Sequence, residues 1–183
     1  MARLAQIESN FNELLGKVSS STSFTHVTLS TGVDLISKPS KLHVPPWQFV
    51  SSVLGGVALR TATWWEQSKI YTTTANKKIT CWDASLGKPG RVEIATTGQW
   101  DGTEFGLTGA AAPNYNHAKI GHSLFGGKQL SIFGDMNQEG AIDGDCTAHQ
   151  NARGGLFFVL PDKELYGSIT LLLDGNTAPT KGP

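Results

Sequence analysis

Apolar residues near the start of the chain recur at the spacing of an amphipathic helix. They are Leu4, Ile7, Phe11, Leu14 and Val18. Intervals of three and four residues place all of them on one stripe of an α-helix over residues 2–18. Because the stripe lasts only about two heptads, it favours a helix packed on its own domain over a coiled-coil seam used for self-assembly, which is the alternative.

The segment that follows is rich in serine and threonine and is interrupted by proline. The runs SSSTS and STG flank a short alternating stretch at residues 24–29, and Pro39, Pro45 and Pro46 come after it. Proline removes a backbone donor and small polar residues favour turns, so we expect an extended arm or a strand pair. We therefore divide the chain into an N-terminal helix and arm at residues 1–45 and a main domain at residues 46–183.

From about residue 60 the pattern is that of short β-strands. The segment FVSSVLGGVALRTATWW, just before, could form a strand or a short helix. The later runs are SKIYTTTA, KKITCWDA, GRVEIATTGQW, KQLSIFG, GGLFFVL and GSITLLL. Turn residues separate them, and ITLLL is apolar on both faces, as in an interior strand. No strand–helix alternation is visible, so we predict an all-β, antiparallel, jelly-roll-like β-sandwich with an N-terminal amphipathic helix and extended arm.

The overall composition excludes several classes of function. The 183 residues carry 15 basic and 15 acidic side chains, so the chain lacks the surplus cation that nucleic-acid binding needs. No run has the length of a membrane span and the N-terminus lacks the apolar core of a secretion signal. We expect a soluble protein without membrane insertion, cytoplasmic or released without a classical signal peptide. Cys81 and Cys146 are expected as two buried thiols more than as one disulfide.

Catalytic motifs are absent from the sequence, so we expect a protein that is not an enzyme. No nucleophile elbow, HExxH motif or P-loop occurs, and the five histidines are scattered. A hydrolase using Asp83, Asp101 or Glu104 is the enzymatic alternative. The acidic stretch GDMNQEGAIDGDC offers oxygen ligands for calcium, but its spacing differs from an EF-hand and favours an ordinary solvated loop.

The tryptophans are the strongest indication of ligand recognition. Trp100 lies in TTGQWDGTEFG, where a strand gives way to a loop rich in glycine and aspartate. An indole ring can stack on the C–H face of a sugar while neighbouring amides and carboxylates bind its hydroxyl groups. The alternative for any one tryptophan is a place in the hydrophobic core.

A set of framework positions recurs along the strands from residue 88 onward. They are Gly98, Trp100, His122, Phe125, Ile132, Gly134, Gly155, Leu156, Phe157, Pro161, Gly167, Ile169, Thr170 and Leu171. In these positions the chain resembles the small galactose-binding bacterial lectins of the LecA type, over about residues 65–176. The resemblance implies a jelly-roll-like sandwich, calcium-assisted binding of a terminal sugar such as a galactoside, and homo-oligomers.

The same resemblance implies a binding site at one loop end of the sandwich. Its ligand-binding residues would be Trp100, Asp101, Thr103, Asn114, His117, Asp174 and Asn176. Asp174 and Asn176 would also be the calcium ligands. The chain departs from the family after residue 176, where the adjacent asparagine pair and the final strand are missing. A sheet edge would then have to be covered by the N-terminal arm or by a neighbouring subunit.

A second function is open from the sequence. The apolar stripe, the proline-containing arm and the missing edge strand also fit a structural subunit of a self-assembling particle, capsid or appendage, which would use the N-terminal helix and arm for assembly.

Overall fold

Nine strands and two α-helices form the regular structure of the part of the chain that the structure describes. This computed structural model describes residues 21–65, 70–110, 114–124, 127–148 and 150–181. The strands are β1 (Thr25–Thr28), β2 (Asp34–Lys38), β3 (Leu59–Thr63), β4 (Val92–Ile94), β5 (Thr97–Trp100), β6 (Thr103–Gly106), β7 (Lys119–Ser123), β8 (Ser131–Gly134) and β9 (Gly155–Leu160). The helices are α1 (Pro46–Val53) and α2 (Lys163–Leu172), with a 3₁₀ helix at Gln150–Ala152. The predicted helix over residues 2–18 lies outside the described residues.

Seven of these strands form one sheet, and the other two form a separate hairpin. The order in the sheet is β1-β2-β9-β8-β7-β3-β4, and β5 pairs with β6. Every pair is antiparallel except β3 with β4. The prediction of a mostly β, mainly antiparallel protein is therefore confirmed. Of the two alternatives for the segment after the N-terminal helix, an extended arm or a strand pair, the structure shows a strand pair, β1 and β2, which joins the main sheet through β9.

One face of the sheet carries the main hydrophobic core. Ile36, Phe157, Val159, Ile132 and Leu59 alternate inward along their strands and are fully buried. Helix α1 covers them, with Trp47 packed edge-on to Phe157 at 5.3 Å between ring centroids. This helix begins at Pro46, whose fixed φ suits the first helical position. The ambiguous segment at residues 49–65 thus forms the end of a short helix, a turn and strand β3.

The opposite face of the sheet is covered over only part of its width. Helix α2 packs on β7, β8 and the β5–β6 hairpin. A second apolar cluster lies between them, which contains Ala62, Ala95, Leu107, Ile169 and Leu173. Over β1, β2 and β9 the described residues leave this face exposed, with Val27, Leu156 and Phe158 each more than 40% accessible. The sheet therefore has one face that is covered except at the outer strand β1, and one half-covered face.

Helix α2 corrects the prediction that GSITLLL is an interior strand. The carboxylate of Asp162 accepts a hydrogen bond from the Leu165 backbone N–H at 2.9 Å and caps the helix. Leu165, Ile169 and Leu172, at helical spacing, face the second cluster, whereas Leu171 is 69% exposed. The strand prediction was wrong because it rested on ITLLL being apolar on both faces of a strand. A short apolar run of this kind fits a buried helix as well as a strand.

Two further predictions about the middle of the chain are wrong. In the described parts of SKIYTTTA and KKITCWDA, only Thr72 and Thr73 make isolated β-bridges. Cys81 and Cys146 form a disulfide, with 5.1 Å between their Cα atoms, instead of two thiols. The two cysteines lie 65 residues apart, so their approach depends on how the intervening strands fold.

No helix in the described part of the chain has the length and apolar character required to cross a lipid bilayer.

Candidate functional site

The β5–β6 hairpin presents the most exposed aromatic ring of the described residues. Its strands are joined by Asp101 and Gly102, both with positive φ, of 48° and 73°. An Asp-Gly pair in this conformation makes a tight two-residue turn whose twist suits antiparallel strands. Trp100 and Thr103 are paired directly across this turn. Trp100 is 71% exposed, so the fold places a large apolar ring in solvent at a tightly turned hairpin tip.

Trp100 forms one wall of a cleft between the hairpin tip and helix α2. The cleft measures about 400 Å³ and is lined by Gln99, Trp100, Asp101, Ser168, Leu171 and Leu172. Leu171 and Leu172, in the last turn of α2, form the apolar side of the cleft. Its rim carries an amide, a carboxylate and a hydroxyl group. An aromatic wall with a few polar groups at its edge is the composition expected of a small-ligand site.

Asp174 and Asn176 lie at the opposite end of the same hairpin. The Asn176 backbone N–H donates to Thr97 Oγ1 at 2.8 Å, and its carbonyl accepts from the Thr96 N–H at 2.9 Å. Thr97 begins β5 and Trp100 ends it. Three residue steps along an extended strand separate the two ends by about 10 Å. The Asp174-Gly175-Asn176 turn therefore does not line the cleft at Trp100.

Arg60 occupies the inner side of this turn. It lies on β3, is 8% exposed, and its guanidinium group makes five hydrogen bonds. The acceptors are the carbonyls of Leu173, Gly175 and Asn176, the Thr177 hydroxyl and the Glu93 carboxylate, at 2.6–3.1 Å. Arg60 thus binds the backbone carbonyls that end helix α2 and form the following turn, where a cation is favoured.

The residues around Asp174 and Asn176 do not fit a calcium site. Calcium needs six to eight oxygen ligands, commonly including backbone carbonyls. The carbonyls of Gly175 and Asn176 already accept from Arg60, and its positive charge would repel a second cation. Among the residues described, no group of three or more His, Cys, Asp or Glu side chains is arranged to hold a metal ion.

Asn114 and His117 do not line the cleft at Trp100. The neighbouring Asn116 donates from Nδ2 to the Leu107 carbonyl at 2.8 Å, next to the base of the hairpin. The His117 ring stacks on Trp64 with 5.4 Å between centroids. The structure therefore places Trp100, Asp101 and Thr103 together at the hairpin tip, and none of the other four predicted ligand-binding residues lines the cleft beside them. Phe125, a framework position of the resemblance, lies outside the described residues.

The acidic stretch predicted as a solvated loop uses several carboxylates in local contacts. Asp145 accepts hydrogen bonds from the Thr147 backbone N–H and hydroxyl group at 2.9 and 2.7 Å. Asp143 forms an ion pair with Lys181 at 3.0 Å. Asp135 accepts from the Leu156 N–H at 2.9 Å and so joins the loop to β9. These contacts give the carboxylates structural roles.

A buried polar row beneath helix α2 was missed by the sequence reasoning. Ser131, His122, Arg60 and Glu93 face one another across β8, β7, β3 and β4 on the half-covered face. The signal was Arg60 itself, a lone charge within the apolar segment VALRTATWW. A charged residue in a buried strand must be paired, so it predicts a partner such as Glu93. Gln99 and Ser168 of the cleft were also missed.

The pKa of His122 in this row is lowered from its ordinary value. Burial lowers its pKa most, and the nearby Arg60 charge lowers it further, against opposing effects of the Ser123 carbonyl and Glu93. Its Nδ1 lies 2.9 Å from the Ser123 carbonyl oxygen, which can only accept, so Nδ1 carries the proton. The Tyr166 ring of α2 packs edge-on against it at 5.7 Å. His122 therefore supports α2 from within the sheet.

No family model matches the chain, and no curated protein or solved structure matches it either.

Proposed function

We propose that this protein binds carbohydrate, without catalysis, in the cleft between the β5–β6 hairpin tip and helix α2. The observation that carries the proposal is the 71% exposure of Trp100 beside a cleft of about 400 Å³. Leaving an indole ring in water costs free energy that a stacking ligand would recover. The hairpin tip is tightly turned, so the ring can be held in place before the ligand binds.

The polar groups of the cleft suit the hydroxyl groups of a sugar ring. Gln99 offers both a donor and an acceptor, and the Asp101 carboxylate accepts two or more hydrogen bonds. Ser168 donates to the Glu164 carbonyl within α2 at 3.1 Å, which leaves its oxygen as an acceptor. Thr103 lies directly across from Trp100 and adds a hydroxyl group at the tip. A galactoside is the first ligand to test, because the resemblance to galactose-binding lectins includes Trp100.

The proposed binding is independent of calcium at Asp174 and Asn176, since Arg60 occupies the inner side of their turn. The jelly-roll connectivity and the homo-oligomer implied by the resemblance remain part of the proposal. The Cys81–Cys146 disulfide is typical of proteins that reach an oxidising compartment, so we place the protein outside the cytoplasm.

The test is a glycan array followed by calorimetry with the best-binding sugar, each with and without EDTA. Trp100→Ala should lower affinity about tenfold or more, because an aromatic stacking contact contributes about 1.5 kcal/mol. Tyr115→Ala is the matched control, since Tyr115 is also an exposed aromatic, at 45%, and does not line the cleft. Sugar binding that Trp100→Ala leaves intact, or no sugar binding under either condition, would contradict the proposal.

A structural subunit of a self-assembling particle is the second candidate, and one observation favours it. Among the described residues no strand pairs with the outer edge of β1, whose four residues are all exposed. Such an edge can pair with a strand of another copy. The other outer strand, β4, is partly covered because Val92 exchanges backbone hydrogen bonds with Thr73 at 2.9 and 3.0 Å. Light scattering that gives a monomer mass at every concentration would contradict assembly.

A further inference from the structure

The uncovered half of the sheet is an apolar surface in need of a partner. Val27, Leu35 and Phe158 are paired side by side across β1, β2 and β9, and Leu156 lies two residues from Phe158 on the same side. Val27, Leu156 and Phe158 are 45%, 41% and 43% exposed, and Leu35 is half-buried. We call these four residues the open face. Adjacent exposed side chains of this size mark a surface that another element covers.

The spacing of the sheet leaves room for one helix on the open face. Helix α2 packs on β7 and β8 on the same side of the sheet. Strands lie about 4.8 Å apart, and packed helices lie about 8–10 Å apart. A helix beside α2 would therefore be centred about two strands further along, over β9 and β2. Those are the strands that carry Phe158, Leu156 and Leu35.

The chain itself carries a segment that matches this place in length, chemistry and attachment. Residues 2–18 have an apolar stripe of Leu4, Ile7, Phe11, Leu14 and Val18. As a helix they would be about 25 Å long, enough to cross the strands of the open face. Only residues 19–24 separate them from β1, the outermost strand beside the open face. Phe24 packs on Phe49 of helix α1 with 5.5 Å between ring centroids, on the other face of the sheet, so the chain must pass round the edge of β1. The five residues before Phe24 span up to about 17 Å, which is enough for that passage.

We propose that residues 2–18 form a helix whose apolar stripe packs on the open face of the same chain, beside helix α2. This helix would complete the cover of the sheet, with one layer on each side. A stripe of aliphatic and aromatic side chains on Val27, Leu35, Leu156 and Phe158 removes apolar surface from water on both partners. The same segment would then be unavailable as a seam between subunits.

Cysteine cross-linking of the full chain tests the contact and identifies the occupant. Phe11→Cys with Phe158→Cys places one thiol on the stripe and one on the open face. Cys81 and Cys146 are already joined, and peptide mapping checks that they stay so. We expect mild oxidation to link the new pair within one chain, and to link it much more slowly when Asn12→Cys replaces Phe11→Cys. Asn12 follows Phe11 but falls off the stripe.

Three results would overturn the proposal. The first is a disulfide-linked dimer, which would assign the open face to a second copy. The second is the absence of any link, and the third is equal linking from positions 11 and 12.

A second measurement does not depend on cysteine chemistry. Phe11→Asp should raise the fluorescence of a dye that binds apolar surfaces by about twofold or more over Asn12→Asp, because only the first change lifts the stripe from the sheet. Equal fluorescence of the two variants would contradict the packing.

Discussion

The two ends of the β5–β6 hairpin are built from similar residues and serve different purposes. At the base, Asp174, Gly175 and Asn176 form a turn whose backbone is bound by the buried Arg60. At the tip, Asp101 and Gly102 form a turn that leaves Trp100 in solvent. Aspartate and glycine next to a strand end therefore do not distinguish a ligand site from a structural turn. What distinguishes them is whether the protein already uses their hydrogen-bonding groups.

The largest effect is expected at the base, from Arg60→Met. Removing the guanidinium group leaves the partly buried Glu93 carboxylate and several carbonyls without their partner, so we expect a loss of about 3–5 kcal/mol in the free energy of unfolding. Urea denaturation measures it. Arg91→Met is the control, because Arg91 also pairs with Glu93, at 2.8 Å, but its side chain is 45% exposed. Equal losses from both variants would show that the buried contacts with the turn add nothing.

Gly98→Ala should cause the next largest loss in the free energy of unfolding, because Gly98 lies where the hairpin packs against the end of α2. A Cβ atom at residue 98 would overlap the Leu172 carbonyl oxygen and approach the Phe105 ring to 3.0 Å. Overpacking of this kind costs about 1–3 kcal/mol. Gly106→Ala is the control in the same hairpin, since a methyl group added at residue 106 would meet no atom within 4 Å. A thermal melt that shows no difference between the two variants would contradict this packing.

A smaller, pH-dependent effect is expected from His122 beneath α2. Its pKa is lowered in the folded protein, so between that pKa and the ordinary value of 6.5 the unfolded chain binds more protons. Stability should therefore fall as the pH is lowered through 6.5, and be fully retained above it. Denaturation at pH 7.5 and 5.5 measures the loss, and His122→Gln should reduce it. The same pH dependence in His122→Gln would assign the effect to another group.

The smallest effect on stability is expected at the tip. Trp100→Ala should change the free energy of unfolding by no more than about 0.5 kcal/mol, because an exposed ring makes few contacts to lose. The same substitution should abolish most sugar binding. Arg60→Met and Trp100→Ala would thus separate the two ends of the hairpin, one acting on stability and the other on affinity. A large loss of stability in Trp100→Ala would show that the Trp100 ring packs against the protein, and would contradict its being available to a ligand.

Several elements were predictable because their determinants lie within a few residues. The run of aromatic and aliphatic residues in GLFFVL, which ends before Pro161, predicts a strand, and β9 occupies it. The exposure of Trp100 follows from its place beside an Asp-Gly turn, which was visible in the sequence. Helix α2 was not predicted, because ITLLL fits an interior strand as well as a helix. The Asp162 cap and the contact of Ile169 with the second cluster decided between them.

The sequence by itself determined the mostly β class, the neutral net charge and the candidate aromatic at residue 100, since these depend on local pattern and composition. Only the tertiary structure decided what the polar residues do. Arg60 is more than a hundred positions from the turn that it binds, and Cys81 is 65 positions from Cys146. Whether a carboxylate or carbonyl is free to bind a ligand depends on whether a group from a distant part of the chain already forms a hydrogen bond with it. That is settled by packing, which is why Trp100 and Asp101 lie at the tip of the hairpin and Asp174 and Asn176 lie beside its base.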